Sequence, residues 1–196
     1  MTIKYGNRVK PAHKFVVSQE SRYFQQMLEN DTGGHITCKL EEAEEDLDSI
    51  DRMFAYIYHA NINHLKRKRD DWQTSFRIYH VATKYGLDSL RKRALEDTMM
   101  HASDSGAETV VKAVQAMSIH GTDPSVKRAE EQLLGQHFLD LMQLPAYVTW
   151  MEGQPARALR HNRQMAKALM TLQNAPVNSR PSVASAVRKA FDSVPE

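Results

Sequence analysis

The chain begins on a period of two. In "TIKYG", Ile3 and Tyr5 fall on one face of a strand, Gly6-Asn7 signals a turn, and Val9 resumes a second strand. Pro11 marks the opening of a helix, since its fixed φ suits a first helical position. A second short helix is expected from Ser18 to Leu28. Ser21 serves there as N-cap, and Tyr23, Phe24, Met27 and Leu28 form an apolar stripe at helical spacing. "NDTGG", Asn30 to Gly34, is a turn cluster. "HITCKL" then alternates strictly, with Ile36, Cys38 and Leu40 on the buried side of a strand and Thr37 and Lys39 opposite. Cys38 is therefore read as an inert core thiol.

From there the pattern turns helical. "DSIDRMFAYIYHANI" sets Ile50, Met53, Phe54, Ile57 and Tyr58 on one stripe of a core helix. "DDWQTSFRIYHVATKYGLDSLRKRALEDTMM" predicts a helical hairpin. Asp71 caps its first helix, Gly86 takes the left-handed position that ends it, and Asp88 caps the second. Trp72, Phe76, Ile78, Tyr79, Val81, Ala82 and Tyr85 are core positions of the first helix, and Leu90, Ala94 and Leu95 of the second.

Past His101 no strand pattern remains. Ala107 to Ile119 is a helix with Val110, Val111, Val114 and Met117 apolar. The next is capped by Asp123 with Pro124 at its first position, and carries a stripe of Leu133, Leu134, Phe138, Leu141 and Met142. "LPAYVTWM" is a short turn and helix. Pro155 opens a long helix to about Gln173, with Met165, Leu169 and Leu172 on one face. Arg157, Arg160, Arg163 and Lys167 form another face of that helix, read as solvated surface. "NAPVNSRPS" is a linker, followed by a weakly docked tail helix.

Composition narrows the classes. The 196 residues hold 26 basic and 24 acidic side chains, a net charge of +2, so no overall field draws the chain to nucleic acid or membrane. No apolar run reaches the roughly 20 residues of a bilayer span, and "MTIKYGNRVK" lacks a signal-peptide apolar stretch. One cysteine excludes an internal disulfide, and an intracellular location, cytoplasmic or nuclear, is expected.

Candidate chemistry is sparse. The acidic run "EEAEEDLDSID" has no glycine to shape a calcium loop, and His59 and His64 have no third ligand in the sequence, so no metal is expected. No G-x-S-x-G, P-loop or G-x-G-x-x-G is present, so neither a catalytic residue nor a cofactor is expected. Lys66 to Arg69 is a short basic run followed directly by two acids.

Three separated segments in order carry a resemblance. "AHKFVVSQESRYFQQML" resembles the helix pair "HK-x-V-L-x-x-x-S-x-Y-F" of the BTB/POZ domain, in the form common among fungal members, through His13, Lys14, Val16, Ser21, Tyr23 and Phe24. "MFAYIYHANI" is similar to its "F-x-x-x-L-x-Y-I-Y-T-G" element through Tyr56, Ile57 and Tyr58, with His59-Ala60 replacing the final Thr-Gly. "RIYHVATKYGLDSLRKRALE" resembles its "V-Y-x-L-A-D-K-Y-x-L-x-x-L" hairpin through Tyr79, Ala82, Lys84, Tyr85, Gly86, Leu87 and Leu90. Many members carry an additional N-terminal strand and helix that exchange across a dimer; the sequence opens directly on "TIKYG", so exchange of that kind is not expected.

The resemblance implies an α+β, predominantly helical BTB/POZ (Skp-like) fold with a small sheet and helical hairpins, followed by an all-α extension. The implied organisation is a BTB/POZ domain at 1–101, a helical extension at 102–173, and a linker and tail at 174–196. It makes His13 a fold-signature residue packed in the first helix rather than a ligand. The implied function is a non-enzymatic protein-interaction module that self-associates or docks onto other proteins, including as a substrate adaptor on a cullin scaffold of a ubiquitin ligase. In such adaptors an apolar-x-Glu element after the second helix enters a cullin pocket. Here Met27, Leu28, Glu29 and Asn30 stand at that place; with Leu28 as the apolar anchor, Asn30 takes the position of the acid, and a one-residue shift restores Glu29. The alternative is a nuclear or transcriptional regulator using the Lys66–Arg69 run and the Arg157–Lys167 face.

Overall fold

The computed structural model describes residues 1–29, 33–41, 47–59, 71–120, 122–175 and 181–192, the last without its side chain. Two compact units divide the chain, Met1–Thr98 and Met99–Glu196, each with its own core.

In the first unit, β1 (Thr2–Tyr5) pairs antiparallel with β2 (Arg8–Pro11) and parallel with β3 (Thr37–Leu40), giving the order β2-β1-β3. A parallel neighbour requires a crossover, supplied here by α1 (Lys14–Glu20) and α2 (Arg22–Leu28). The register sets Ile3 against Cys38 and Tyr5 against Leu40, so the expected alternation buries all four on one face. Against them lies α3 (Leu47–His59), burying Leu47, Ile50, Met53, Phe54 and Ile57. Beyond it α4 (Trp72–Lys84) packs against α3, and the chain passes through Tyr85-Gly86-Leu87 into α5 (Asp88–Asp104). Gly86 has φ +65, and a Cβ there would stand 3.0 Å from the Arg22 Cβ, so both backbone and space call for glycine.

Local details depart from the sequence expectations. Pro11 closes β2 instead of opening a helix; α1 begins at Lys14, with His13 as its extended N-cap residue, outside the helix. Ser18 lies inside α1, so the second helix starts after Ser21, whose hydroxyl does cap it by accepting from the Phe24 amide. Asp71 caps α4 through the Thr74 amide. Asp88 is the first residue within α5 rather than its cap, and its carboxylate pairs with Arg22 at 2.7 Å. Tyr58 is exposed, its hydroxyl meeting His13, and the buried stripe of α3 takes in Leu47 and Ser49 at its start.

The second unit is helical: α6 (Ala107–Ile119), α7 (Pro124–Leu141), α8 (Pro145–Glu152), α9 (Pro155–Asn174) and α10 (Val183–Asp192). Asp123 caps α7 through the Ser125 amide, with Pro124 at the first position. Leu133, Leu134, Phe138 and Leu141 are buried as expected, but Met142 lies past the helix end and is exposed. The inward face of α9 is His161, Gln164 and Ala168; Leu169 is exposed, and Met165 and Leu172 are half-buried. The tail helix is not weakly docked. α10 packs on both α7 and α9, burying Ala186, Val187, Ala190 and Phe191.

Gly135 makes that docking possible, since a Cβ at this position would lie 2.7 Å from the Phe191 Cβ. Substituting Gly135→Val forces α10 away from α7. The expected loss is about 2 kcal/mol in unfolding free energy, the range of an overpacked core, measured by urea denaturation of the full chain.

Candidate interaction surfaces

In the first unit the signature residues gather around α2. Ser21 is buried, and its hydroxyl donates to the Tyr85 carbonyl at 2.6 Å, bridging two points 64 residues apart. The Arg22 amide donates to the Gly86 carbonyl. Phe24 is fully buried and stacks on Tyr85 with centroids 6.0 Å apart and planes at 6°. It also meets Phe54 of α3, which meets Tyr5 of β1. Tyr23 lies edge-on to Tyr85 at 5.0 Å yet stays 38% exposed. The end of α2 is thereby held in place, with Met27 and Leu28 half-buried and Glu29 exposed; Asn30 lies outside the described residues.

Other signature residues tie the edges together. The His13 amide donates to the Tyr58 hydroxyl at 2.7 Å, and the His13 ring meets the same oxygen at 3.2 Å. Lys14 donates to the Gly34 carbonyl. Tyr56 is half-buried on α3. Asp51 of α3 collects the Tyr5 hydroxyl at 2.6 Å, the Lys10 ammonium at 2.8 Å and the Arg8 guanidinium, which also reaches Asp48. Burial pushes the Asp51 carboxyl up, but the bonds from Lys10, Tyr5 and Arg8 outweigh it and hold the group below the usual carboxylate range. Burial and the Asp51 bond push the Tyr5 hydroxyl up. Burial likewise raises the Cys38 thiol, as an inert core thiol requires.

Phe15, on α1, is 75% exposed, the most exposed aromatic among the described residues. From the sequence "FVV" reads as one apolar triplet; only Val17 is buried, because one helix turn offers the core a single position.

The second unit holds a polar cluster that no sequence pattern marks. Glu130 of α7 is buried and pairs with Arg157 of α9, whose guanidinium lies over the Trp150 ring at 4.8 Å. Burial raises the Glu130 carboxyl despite that partner. The Tyr147 hydroxyl meets His161 Nδ1 at 3.0 Å, both buried. Burial, assisted by the Glu130 charge, lifts the Tyr147 phenol to about 12. Burial first, then Arg157 and Arg160, push the His161 imidazole down to about 4. Arg157 is thus not on a solvated basic face, which breaks the expected Arg157–Lys167 surface; Arg160, Arg163 and Lys167 remain exposed. The Lys66–Arg69 run and His64 lie outside the described residues. Among the described residues no group of three or more His, Cys, Asp or Glu could hold a metal ion, and no helix is long and apolar enough to cross a membrane.

A BTB/POZ domain family model matches residues 1–101, more than half of the chain. The chain belongs to the BTB/POZ domain family, whose domain is a protein–protein interaction module that also mediates self-association. No curated protein matches the chain.

Two measurements follow from these geometries. Ser21→Ala removes the α2 cap and leaves the Tyr85 carbonyl without its buried donor, so a loss of about 2 kcal/mol is expected by chemical denaturation. For His161, the unfolded imidazole titrates near 6.5 and the folded one near 4, so between those values the unfolded chain binds more protons. Its contribution, up to about 3 kcal/mol, is intact above pH 6.5 and lost as pH falls towards 4. Glu130, raised by burial, acts in the opposite sense. The difference between the wild-type and His161→Gln stability–pH curves isolates the histidine. An imidazole midpoint near 6.5 by NMR would refute its depressed pKa.

Proposed function

We propose that the chain is a non-enzymatic docking protein whose first unit engages a cullin scaffold of a ubiquitin ligase through the end of α2. The observation that carries this reading is the partly exposed apolar end of α2. Met27 and Leu28 are half-buried beside exposed Glu29, while Tyr23 and Phe15 add aromatic surface on α2 and α1. An apolar anchor desolvated in a partner's pocket, with a carboxylate fixing its orientation, is the physical form of an interface hot spot. The helix presenting it is anchored by Ser21, Arg22 and Phe24, so little conformational freedom is lost on binding. We assign residues 1–101 to the docking domain, and the helices after it, through α10, to an extension that supplies further partner surface.

Calorimetric titration with the N-terminal domain of the source organism's cullin tests this. Micromolar or tighter binding is expected, weakened at least tenfold by Leu28→Asp with the fold intact by circular dichroism. Absence of heat with the folded wild-type chain removes the cullin reading and leaves self-association or scaffolding.

A further inference from the structure

Two neighbouring cavities of the second unit share His161 as a wall. One is a polar cleft of about 330 Å³ between α7 and α9, reaching Ser118 of α6. The other, of about 190 Å³, is lined mainly by apolar groups from Phe138, Met142, Tyr147, Val148 and Met151. The cleft is in the size range of small-ligand sites.

The charges of the cleft do not cancel. Lys127, Arg157 and Arg160 face Glu130 and Glu131, leaving one positive charge. Glu130 is engaged by Arg157, whereas Lys127 and Arg160 are exposed and have no ion-pair partner among the described residues. Gln164 is only 8% exposed, and its Oε1 accepts no hydrogen bond; the Arg157 Nε, also buried, donates none. Each such orphan is a cost to the fold that a ligand completing its hydrogen bond removes. These are two of the three unpaired buried side-chain polar atoms among the described residues. The wall of the cleft therefore holds an unpaired acceptor and an unpaired donor just beneath its surface, with two cations and the Glu131 carboxylate at the surface and an apolar pocket alongside.

A ligand satisfying all of these carries a carboxylate, an adjacent N–H and an apolar side chain. An inorganic anion lacks the last two, and an internal peptide segment lacks the charge. The final residue of a polypeptide has all three on one carbon. We propose that the second unit binds the free C-terminus of a partner polypeptide ending in a medium-sized apolar residue. The carboxylate lies with Arg160 and Lys127, away from Glu131; the Gln164 and Arg157 side chains turn their unpaired Oε1 and Nε into the cleft to take the last amide N–H and a carboxylate oxygen, and the terminal side chain enters the pocket beyond His161. The site is built wholly from the second unit and does not depend on cullin binding by the first.

The test uses the full chain and fluorescence anisotropy, with N-terminally labelled pools of octapeptides randomised except at the last residue. One pool ends in leucine with a free carboxylate, one in leucine carboxamide, and one in aspartate with a free carboxylate. The leucine acid pool is expected to bind, and the amide and aspartate pools at least tenfold more weakly. Arg160→Glu, at an exposed position that preserves the fold, weakens the leucine acid pool at least tenfold. Met142→Glu, also exposed, removes the leucine-over-aspartate preference. Equal binding of acid and amide, or no binding of any pool to the folded chain, overturns the proposal. So does displacement of the peptides by N-acetylleucine at matching concentration, which would identify a small acyl amino acid as the ligand.

Discussion

The first unit depends on the buried hydroxyl of Ser21. One oxygen accepts from the Phe24 amide, starting α2, and donates to the Tyr85 carbonyl at the end of α4. Without it a helix of seven residues would be marginal, since short helices gain most of their stability from tertiary packing. The bond places Phe24 in the aromatic run Tyr85–Phe24–Phe54–Tyr5, which passes from the α4–α5 turn through α2 and α3 to the sheet. Gly86 belongs to the same junction, because a side chain there would strike Arg22.

Polar groups are treated differently in the two units. Around Asp51 the charged donors Lys10 and Arg8 sit at a partly exposed edge, where water screens the charges, while the Tyr5 hydroxyl reaches it from the core; the gain lies chiefly in fixing β1 and β2 on α3. Glu130 is buried and Arg157 half-buried, and an ion pair taken out of water recovers its desolvation cost only with good geometry and full hydrogen bonding. Here Arg157 Nε and Gln164 Oε1 stay unpaired, so that cost is incompletely recovered. A cluster of this kind is poor as a stabilising device and well suited to a ligand that completes it.

Much of the fold was legible in the residues. The period-two patterns of β1 and β3, the caps Ser21, Asp71 and Asp123, and the left-handed Gly86 follow from rules acting over a few residues, and the structure shows each of them. Pro11 shows the limit of such rules: the same fixed φ suits a helix start and a strand end, and pairing with Thr2 decides for the strand. Of the candidate surface, α2 was legible as an amphipathic helix, and the partial exposure of Met27 and Leu28 was not.

What the sequence determined by itself was local: which segments become strand or helix, where most begin, and the order of signature residues that marks the BTB/POZ family. The tertiary structure decided the rest. Exposure of Phe15 and Tyr58, docking of α10 and convergence of Glu130, Tyr147, Arg157, His161 and Gln164 depend on which helix faces meet. A glutamate in "KRAEEQLL" or a glutamine in "RHNRQMAK" looks like any solvated helical residue. The physical reason is that burial and pairing belong to two elements at once, and helix periodicity describes only one.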